Sequence, residues 1–322
     1  MRRFLARRLA HGAAVIFIAA SLSFFLIHLA PGDPFLSSFD DPAVDSSVVA
    51  ARKRAFGLDR PVHEQYVRFL GQLAVGNLGW SIKRGRPAAE VLMAALPRTL
   101  ALMGTALVLS FGVGVTMGAW QATRAGSRSD RATGTLTLIV ASLPEIWFAV
   151  VLVVVFANRL GWFPAGGMTE LGMPDTWLSR LHHLALPVLT LTLVGAASIA
   201  RYQRAAVLEV LPRDFLRTAR AKGLSERRVL WHHALRNALV PTIVLAGLSL
   251  PTLVGGAVLV ERIFSWPGMG NLAAIAVESR DYAVVVGAVL VGAVMVVVGG
   301  IVTDLLHAAI DPRVRTLGDG SA

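Results

Sequence analysis

The chain has no cysteine and very few lysines and tyrosines: three of each in 322 residues. Without cysteine there is no disulfide framework and no thiolate metal site. None of the three lysines (Lys53, Lys83 and Lys222) follows a Gly-x-x-x-x-Gly pattern. The chain therefore has no phosphate-cradling loop of the kind that holds a nucleotide. Charge of either sign is scarce, at 16% of residues. Serine, histidine and acidic residues are scattered, with no nucleophile paired to a base, so nothing here assembles a catalytic site. No basic patch is interleaved with aromatics in the manner that stacks nucleic-acid bases.

Apolar residues are what the chain does have. They make up 55% of it, and the mean hydropathy is +0.62. A membrane-crossing helix needs about 20 apolar residues in a row. Six runs qualify: Leu9–Ala30, Leu96–Ala119, Gly134–Ala157, Leu186–Ala206, Ala238–Val260 and Ala283–Leu305. A soluble core of this size has no room to bury all six. The fold expected is all-α, a polytopic membrane protein with six transmembrane helices. The N-terminus, with Arg2, Arg3, Arg7 and Arg8 ahead of a long apolar run, mimics a signal peptide. That run is long for a signal core and no small-residue cleavage site stands out, so it reads as an uncleaved first span.

The net charge of +11 then describes orientation rather than nucleic-acid binding. Arginine and lysine gather in cytoplasmic loops. Four precede span 1, Arg124, Arg128 and Arg131 follow span 2, and nine lie between Arg201 and Arg236. Both termini are expected in the cytoplasm, with Pro31 to Ala95 outside despite the cluster Arg52–Arg54. Three segments result: 1–95, a first span plus an extracytoplasmic segment; 96–308, a five-helix transport module with a cytosolic loop at 206–237; and 309–322, a cytoplasmic tail. In the external segment Asp59 is placed to cap a helix running through Phe69, and Gly76–Ser81 reads as a glycine-rich turn.

The loop after span 4 is the most informative stretch. It reads EVLPRDFLRTARAKGLSERRVLWHHALRNALVP from Glu209 to Pro241. Apolar residues recur at Leu216, Ala219, Leu224, Leu230 and Ala234, so it is helical rather than a loose basic tail. Gly223 is placed for the left-handed turn that ends a helix. Ser225 is placed to cap a second helix.

This stretch resembles the "EAA" loop of ABC importer permeases of the dipeptide/oligopeptide (peptide/nickel) branch. The matching residues are Arg201-x-x-Arg204, Glu209-Val210-Leu211, Asp214-Phe215, Arg217-Thr218-Ala219-Arg220-Ala221-Lys222-Gly223-Leu224, His233-Ala234-Leu235-Arg236-Asn237-Ala238 and Pro241. Arg217 and Thr218 replace the Glu and first Ala of the wider family, a departure usual for this branch. Similarity runs on through GLDRPVHEQYVRFLGQL and GNLGWS to the turn Glu261–Asn271 and the tail Asp311–Arg315. The resemblance implies a type I ABC importer permease fold in a bacterial or archaeal inner membrane. It further implies a homologous second permease, two ATPase subunits (or one fused pair) carrying ATP and magnesium, and an extracytoplasmic solute-binding protein. No cofactor, metal or nucleic acid is expected on this chain, and membrane lipid surrounds it.

Candidate functional residues follow. The ATPase-coupling loop is assigned to Glu209, Asp214, Arg217, Ala219, Ala221, Lys222, Gly223 and Leu224. Small Ala219, Ala221 and Gly223 would permit close approach, and Leu224 would supply an apolar anchor. Glu145 follows Pro144 deep in span 3, where a carboxylate is costly unless it meets water or a partner, so it is a candidate for lining the solute path. Trp266, Pro267, Gly268 and Gly270 form an external turn and are candidates for docking the binding protein. Gly255-Gly256 and Gly299-Gly300 suit close helix packing. The competing reading is an ion-coupled secondary transporter. It rests on Glu145 alone and lacks an inverted repeat. Dipeptides, oligopeptides, glutathione, nickel chelates and haem all suit relatives of this architecture.

Overall fold

The computed structural model describes residues 2–29, 59–170, 172, 174–249 and 258–310. Arg52–Arg54, Gly255-Gly256 and the tail from Asp311 lie outside them. The described chain is helical apart from one two-residue hairpin, Trp80–Ser81 (β1) against Arg86–Pro87 (β2). It divides into two compact units, Met1–Arg98 with Gly268–Val297, and Thr99–Pro267 with Val298–Ala322.

The first unit holds α1 (Arg2–Leu29), α2 (Val62–Ala74), the hairpin, the start of α3 (Ala88–Thr123), α11 (Met269–Glu278) and most of α12 (Tyr282–Ile310). Ala20, Val286 and Leu290 form its core, with Phe69, Leu73 and Leu78 packed on them. The helix after Pro61 is not capped by Asp59. It starts at Val62 with Pro61 in the cap position and no side-chain cap bond. Proline suits that place because its fixed φ prepares the first turn and no amide is needed there. Ser81 is fully buried and donates to the carboxylate of Asp281.

The second unit carries α4 (Arg128–Ser142), α5 (Glu145–Leu152, continuing as a π-helical turn Val153–Arg159), α6 (Trp177–Val210), α7 (Asp214–Ala221), α8 (Glu226–Arg228 with the π-helical turn Val229–Ala234), α9 (Leu235–Ser249) and α10 (Val258–Ile263). Ser127 caps α4 by accepting from Asp130 N at 3.1 Å, and Thr176 caps α6 by accepting from Ser179 N at 3.2 Å. Pro97, Pro187 and Pro241 sit inside helices α3, α6 and α9. Membrane helices tolerate this because neighbours re-satisfy the freed carbonyls.

Among the described residues, four helices are long and apolar enough to cross a membrane: Ala6–Leu29, Ala88–Thr123, Trp177–Val210 and Tyr282–Leu305. The expected third span is not straight. Arg128–Ser142 and Glu145–Arg159 meet at a bend of 98°. The cause is local: Leu143 is extended (ψ 141°), and Pro144 has no amide to continue the ladder. Of the expected fifth span, Leu235–Ser249 and Val258–Ile263 are helical, and the residues between lie outside the described ones.

Close packing involves two glycines that the sequence reading did not single out. A Cβ on Gly118 would lie 2.3 Å from the Ala200 carbonyl oxygen, and one on Gly114 would lie 2.7 Å from Ile199 Cβ. These two are spaced Gly-x-x-x-Gly, which lets two helix backbones approach closely. A Cβ on Gly300 would meet nothing within 4 Å. A polar seam joins α6 to α9: Gln203 donates to the Ala238 carbonyl at 3.3 Å and accepts from Thr242 Oγ1 at 2.6 Å.

Candidate functional site

Helix α6 ends at Val210, and Leu211 to Arg213 turn the chain into α7. Asp214 opens α7, where a carboxylate is favoured by the unsatisfied amides of the first turn. The helix ends as its sequence demands. Gly223 has φ +75°, its amide bonds to Arg220 O at 2.9 Å, and Lys222 N bonds to Thr218 O at 3.1 Å. Ser225 then stands in the cap position of the next helix, its carbonyl receiving Arg228 N at 2.8 Å, although its side chain makes no cap bond. The elbow is therefore two short helices joined at a glycine in the left-handed region.

One face of this elbow is buried. Leu216, Ala219, Val229 and Ala234 pack with Ala119 and Ala122 of α3, Val207 and Val210 of α6, and Ala238 of α9. The C-terminal ends of α3 and α6 and the start of α9 are thus tied to α7 by an apolar cluster. This corrects the roles expected for Ala219 and Leu224. Ala219 is 8% exposed and Leu224 packs against the same cluster, so both serve the chain's own core. Their spacing explains it: Leu216 and Ala219 lie three apart, on one helix face.

The other face is open. Glu209, Asp214, Arg217, Ala221, Lys222 and Gly223 are exposed, together with Phe215 at 42%. Arg213 pairs with Glu209 at 3.0 Å, Arg217 with Asp214 at 3.2 Å and Arg220 with Glu226 at 2.7 Å. Such solvated pairs contribute little stability. Lys222, Arg227 and Arg228 have no ion pair among the described residues. Arg227 and Arg228 line a shallow crevice with Ser225, Trp231 and His232.

Glu145 begins α5 at the bend, with its Oε1 buried and without a hydrogen-bond partner among the described residues. The external-turn residues are arranged differently from expectation. Trp266 is 2% exposed and packs with Leu102, Ala106 and Val188, and Gly268 and Gly270 are buried. Trp266 is drawn inward because Ser265 takes φ +48° and the Trp266 amide bonds to Glu261 O at 2.7 Å. Only Pro267 of the four is partly accessible, beside exposed Ser265. Glu261 itself is fully buried and accepts from Thr99 Oγ1 at 2.6 Å. The histidine pair His182-His183 is engaged locally, His182 Nε2 donating to Trp162 O at 2.8 Å and His183 Nδ1 to Ser179 O at 2.9 Å.

One cluster escaped the sequence reading. Arg204 grips Asp130 through two bonds of 2.8 Å, and Gly126 N adds a third at 2.9 Å. The available signal was the Ser127-x-x-Asp130 spacing, which marks a helix start but not the partner.

Comparison with known proteins agrees with this architecture. Residues 114–316 match the family model described as "Binding-protein-dependent transport system inner membrane component". Residues 1–103 match the N-terminal model of the same system. The oligopeptide transport system permease protein AppB of Bacillus subtilis is 38% identical over 98% of this chain and 100% of its own length. The di/tripeptide transport system permease protein DppB of Pseudomonas aeruginosa is also 38% identical, covering 98% of this chain and 99% of its own. The glutathione transport system permease protein GsiC of Escherichia coli is 34% identical with the same coverage. Among solved structures, an inward-facing form of the MetNI methionine ABC transporter aligns with a TM-score of 0.55 at 20% identity, over 69% of this chain and 97% of that one. That likeness is one of fold, and it is the fold of an ABC importer permease. A membrane-spanning helical chain with a packed elbow after its α6 helix, matched along nearly its whole length, belongs to the family of binding-protein-dependent transport system inner membrane components, in its peptide-permease branch.

Proposed function

We propose that this chain forms half of the translocation path of an ATP-driven importer for peptides or a similar small solute, and that the elbow Glu209–Asn237 is where the ATPase grips it. One observation carries the reading. The elbow is solvent-facing on one side and fused on the other to the ends of α3 and α6 and the start of α9, as a lever requires. Phe215 takes the role first given to Leu224: it is the exposed apolar anchor, next to Arg217, Ala221 and Lys222 on the open side. The surplus cations at Lys222, Arg227 and Arg228 suit acidic groups on a partner. ATP and magnesium bind on two ATPase subunits (or one fused pair), and a homologous second permease completes the path that residues 96–308 of this chain half enclose. A solute-binding protein delivers the solute from outside. A peptide solute is supported by relatives named for oligopeptides and di- or tripeptides, and the glutathione relatives fit the same chemistry. ATP binding and hydrolysis shift the bundle between outward and inward openings by favouring one state over the other.

Orientation is the first test. Both termini and the elbow face the cytoplasm in this reading, and the hairpin and the turn at Ser265 face outward. The chain has no cysteine, so single substitutions report cleanly. Lys83→Cys serves for the hairpin, because Ser81 is fully buried while Lys83 is exposed. Lys83→Cys and Ser265→Cys should react with an impermeant thiol reagent in intact cells, and Ser225→Cys only after permeabilisation. The reverse pattern would overturn the orientation.

Glu145 is assigned to the wall of the solute path, since its buried oxygen has no partner among the described residues. Glu145→Gln should leave assembly intact and lower uptake of charged solutes several-fold. Reduced complex yield with unchanged transport per complex would make it a packing residue instead.

A further inference from the structure

We infer that the Asp130–Arg204 ion pair is a permanent tie that makes α4 and α6 move as one body, so that displacement of the elbow reaches the bend at Leu143–Pro144 and the carboxylate of Glu145. The inference rests on the coupling role proposed for the elbow.

The geometry sets this pair apart from the others in the region. Arg204 Nε donates to Asp130 Oδ1 and Arg204 Nη2 to Asp130 Oδ2, each at 2.8 Å. This is a two-pronged fork, which fixes direction as well as distance. The Asp130 side chain is 5% exposed, against 74% for Glu209 and 93% for Asp214 in the pairs of the elbow. Gly126 N also donates to Asp130 Oδ2, and Asp130 N is held by the Ser127 cap. The carboxylate is thus gripped by its own turn on one side and by α6 on the other. The carboxylate is shielded although the Arg204 side chain is 34% exposed, so the removal of Arg204 would leave a buried charge without its partner.

Position gives the tie its consequence. Arg204 lies six residues before the end of α6 at Val210, roughly 9 Å from the elbow. Asp130 lies in the first turn of α4, whose fifteen residues form a rod of about 22 Å. The far end of that rod is the 98° bend, and Glu145 is the first residue beyond it. Packing already holds α4 against α6 along their length. The fork supplies a directional link between the two helices.

The test uses the assembled importer with its partner subunits in liposomes, reading ATP hydrolysed per solute moved. Asp130→Asn removes the charge while keeping the shape, and Arg204→Lys removes the fork while keeping the charge. Both should assemble, hydrolyse ATP and raise the ATP used per solute about tenfold. Asp130→Cys/Arg204→Cys should be uncoupled in the same way. Cross-linking those two thiols with a short, reducible bifunctional reagent should return the ratio to within about twofold of the parent, and reduction should abolish the rescue. An unchanged ratio in Asp130→Asn, or transport arrested by the cross-link, overturns the tie. So does failure to assemble that neither the cross-link nor the exchanged pair Asp130→Arg/Arg204→Asp repairs, since the pair would then be a folding element. Cross-linking yield needs no transported solute. Equal yields with and without trapped nucleotide are expected, and a yield that falls on trapping overturns the inference. Uptake by the parent complex, measured alongside, separates this outcome from failure of the transport reading.

Discussion

Gly118→Val should abolish accumulation of folded permease. Its first added carbon would lie 2.3 Å from the Ala200 carbonyl oxygen, 2.9 Å from Gln203 Cβ and 3.0 Å from Arg204 N. Two of those three atoms are backbone, so no rotamer change relieves the clash, and the helices must separate. Crowding a well-packed core costs about 1–3 kcal/mol when side chains can adjust, and here they cannot. Separation would also disturb Gln203, whose bonds to Ala238 and Thr242 join α6 to α9. Gly112→Val is the control, because an added carbon there meets nothing within 4 Å. Membrane-fraction yield and size-exclusion profile in detergent check both. Parent-like yield of Gly118→Val would mean that α3 and α6 do not pack through this glycine.

The second large effect is expected at Gly223 and concerns function rather than folding. No atom lies within 4 Å of a Cβ built there, so sterics with neighbours play no part. The cost is conformational: φ is +75°, and an L-residue in the left-handed region costs about 1–2 kcal/mol, more for a β-branched one. The chain can escape that cost by turning the elbow, which would misplace Phe215 and Lys222 relative to the apolar cluster behind them. Gly223→Val should therefore insert normally and lose the stimulation of ATP hydrolysis by loaded binding protein. Gly223→Asn should retain most of it, since asparagine tolerates this region. Full stimulation in the valine variant would remove the elbow from the coupling path.

The membrane class, the placement of most spans and the elbow's two-helix form were legible in the sequence, because each rests on local pattern. Twenty apolar residues, a basic loop and a glycine between periodic segments are short-range signals. The inward turn of Ala219, Leu224 and Trp266 was not legible. Each looks like an exposed motif residue until the helix or turn carrying it is set against Leu102, Ala119 or Val207. The Asp130–Arg204 fork spans 74 positions, and no periodicity announces so distant a partner. The bend at Pro144 was half legible: proline marks a weak point in a helix, but its presence alone does not give the size of the turn, here 98°. Two packing glycines were missed for a related reason. Adjacent pairs drew notice, whereas Gly114 and Gly118, a turn apart, meet the backbone of α6.

The decisive measurement is uptake of a labelled dipeptide or tripeptide into liposomes that hold this chain with its second permease and ATPase subunits. Uptake should require both ATP and the solute-binding protein, and should persist when proton and sodium gradients are collapsed. The chain reconstituted alone should neither hydrolyse ATP nor move solute. Uptake by the chain alone, driven by an ion gradient without ATP, would contradict the reading and identify an ion-coupled transporter.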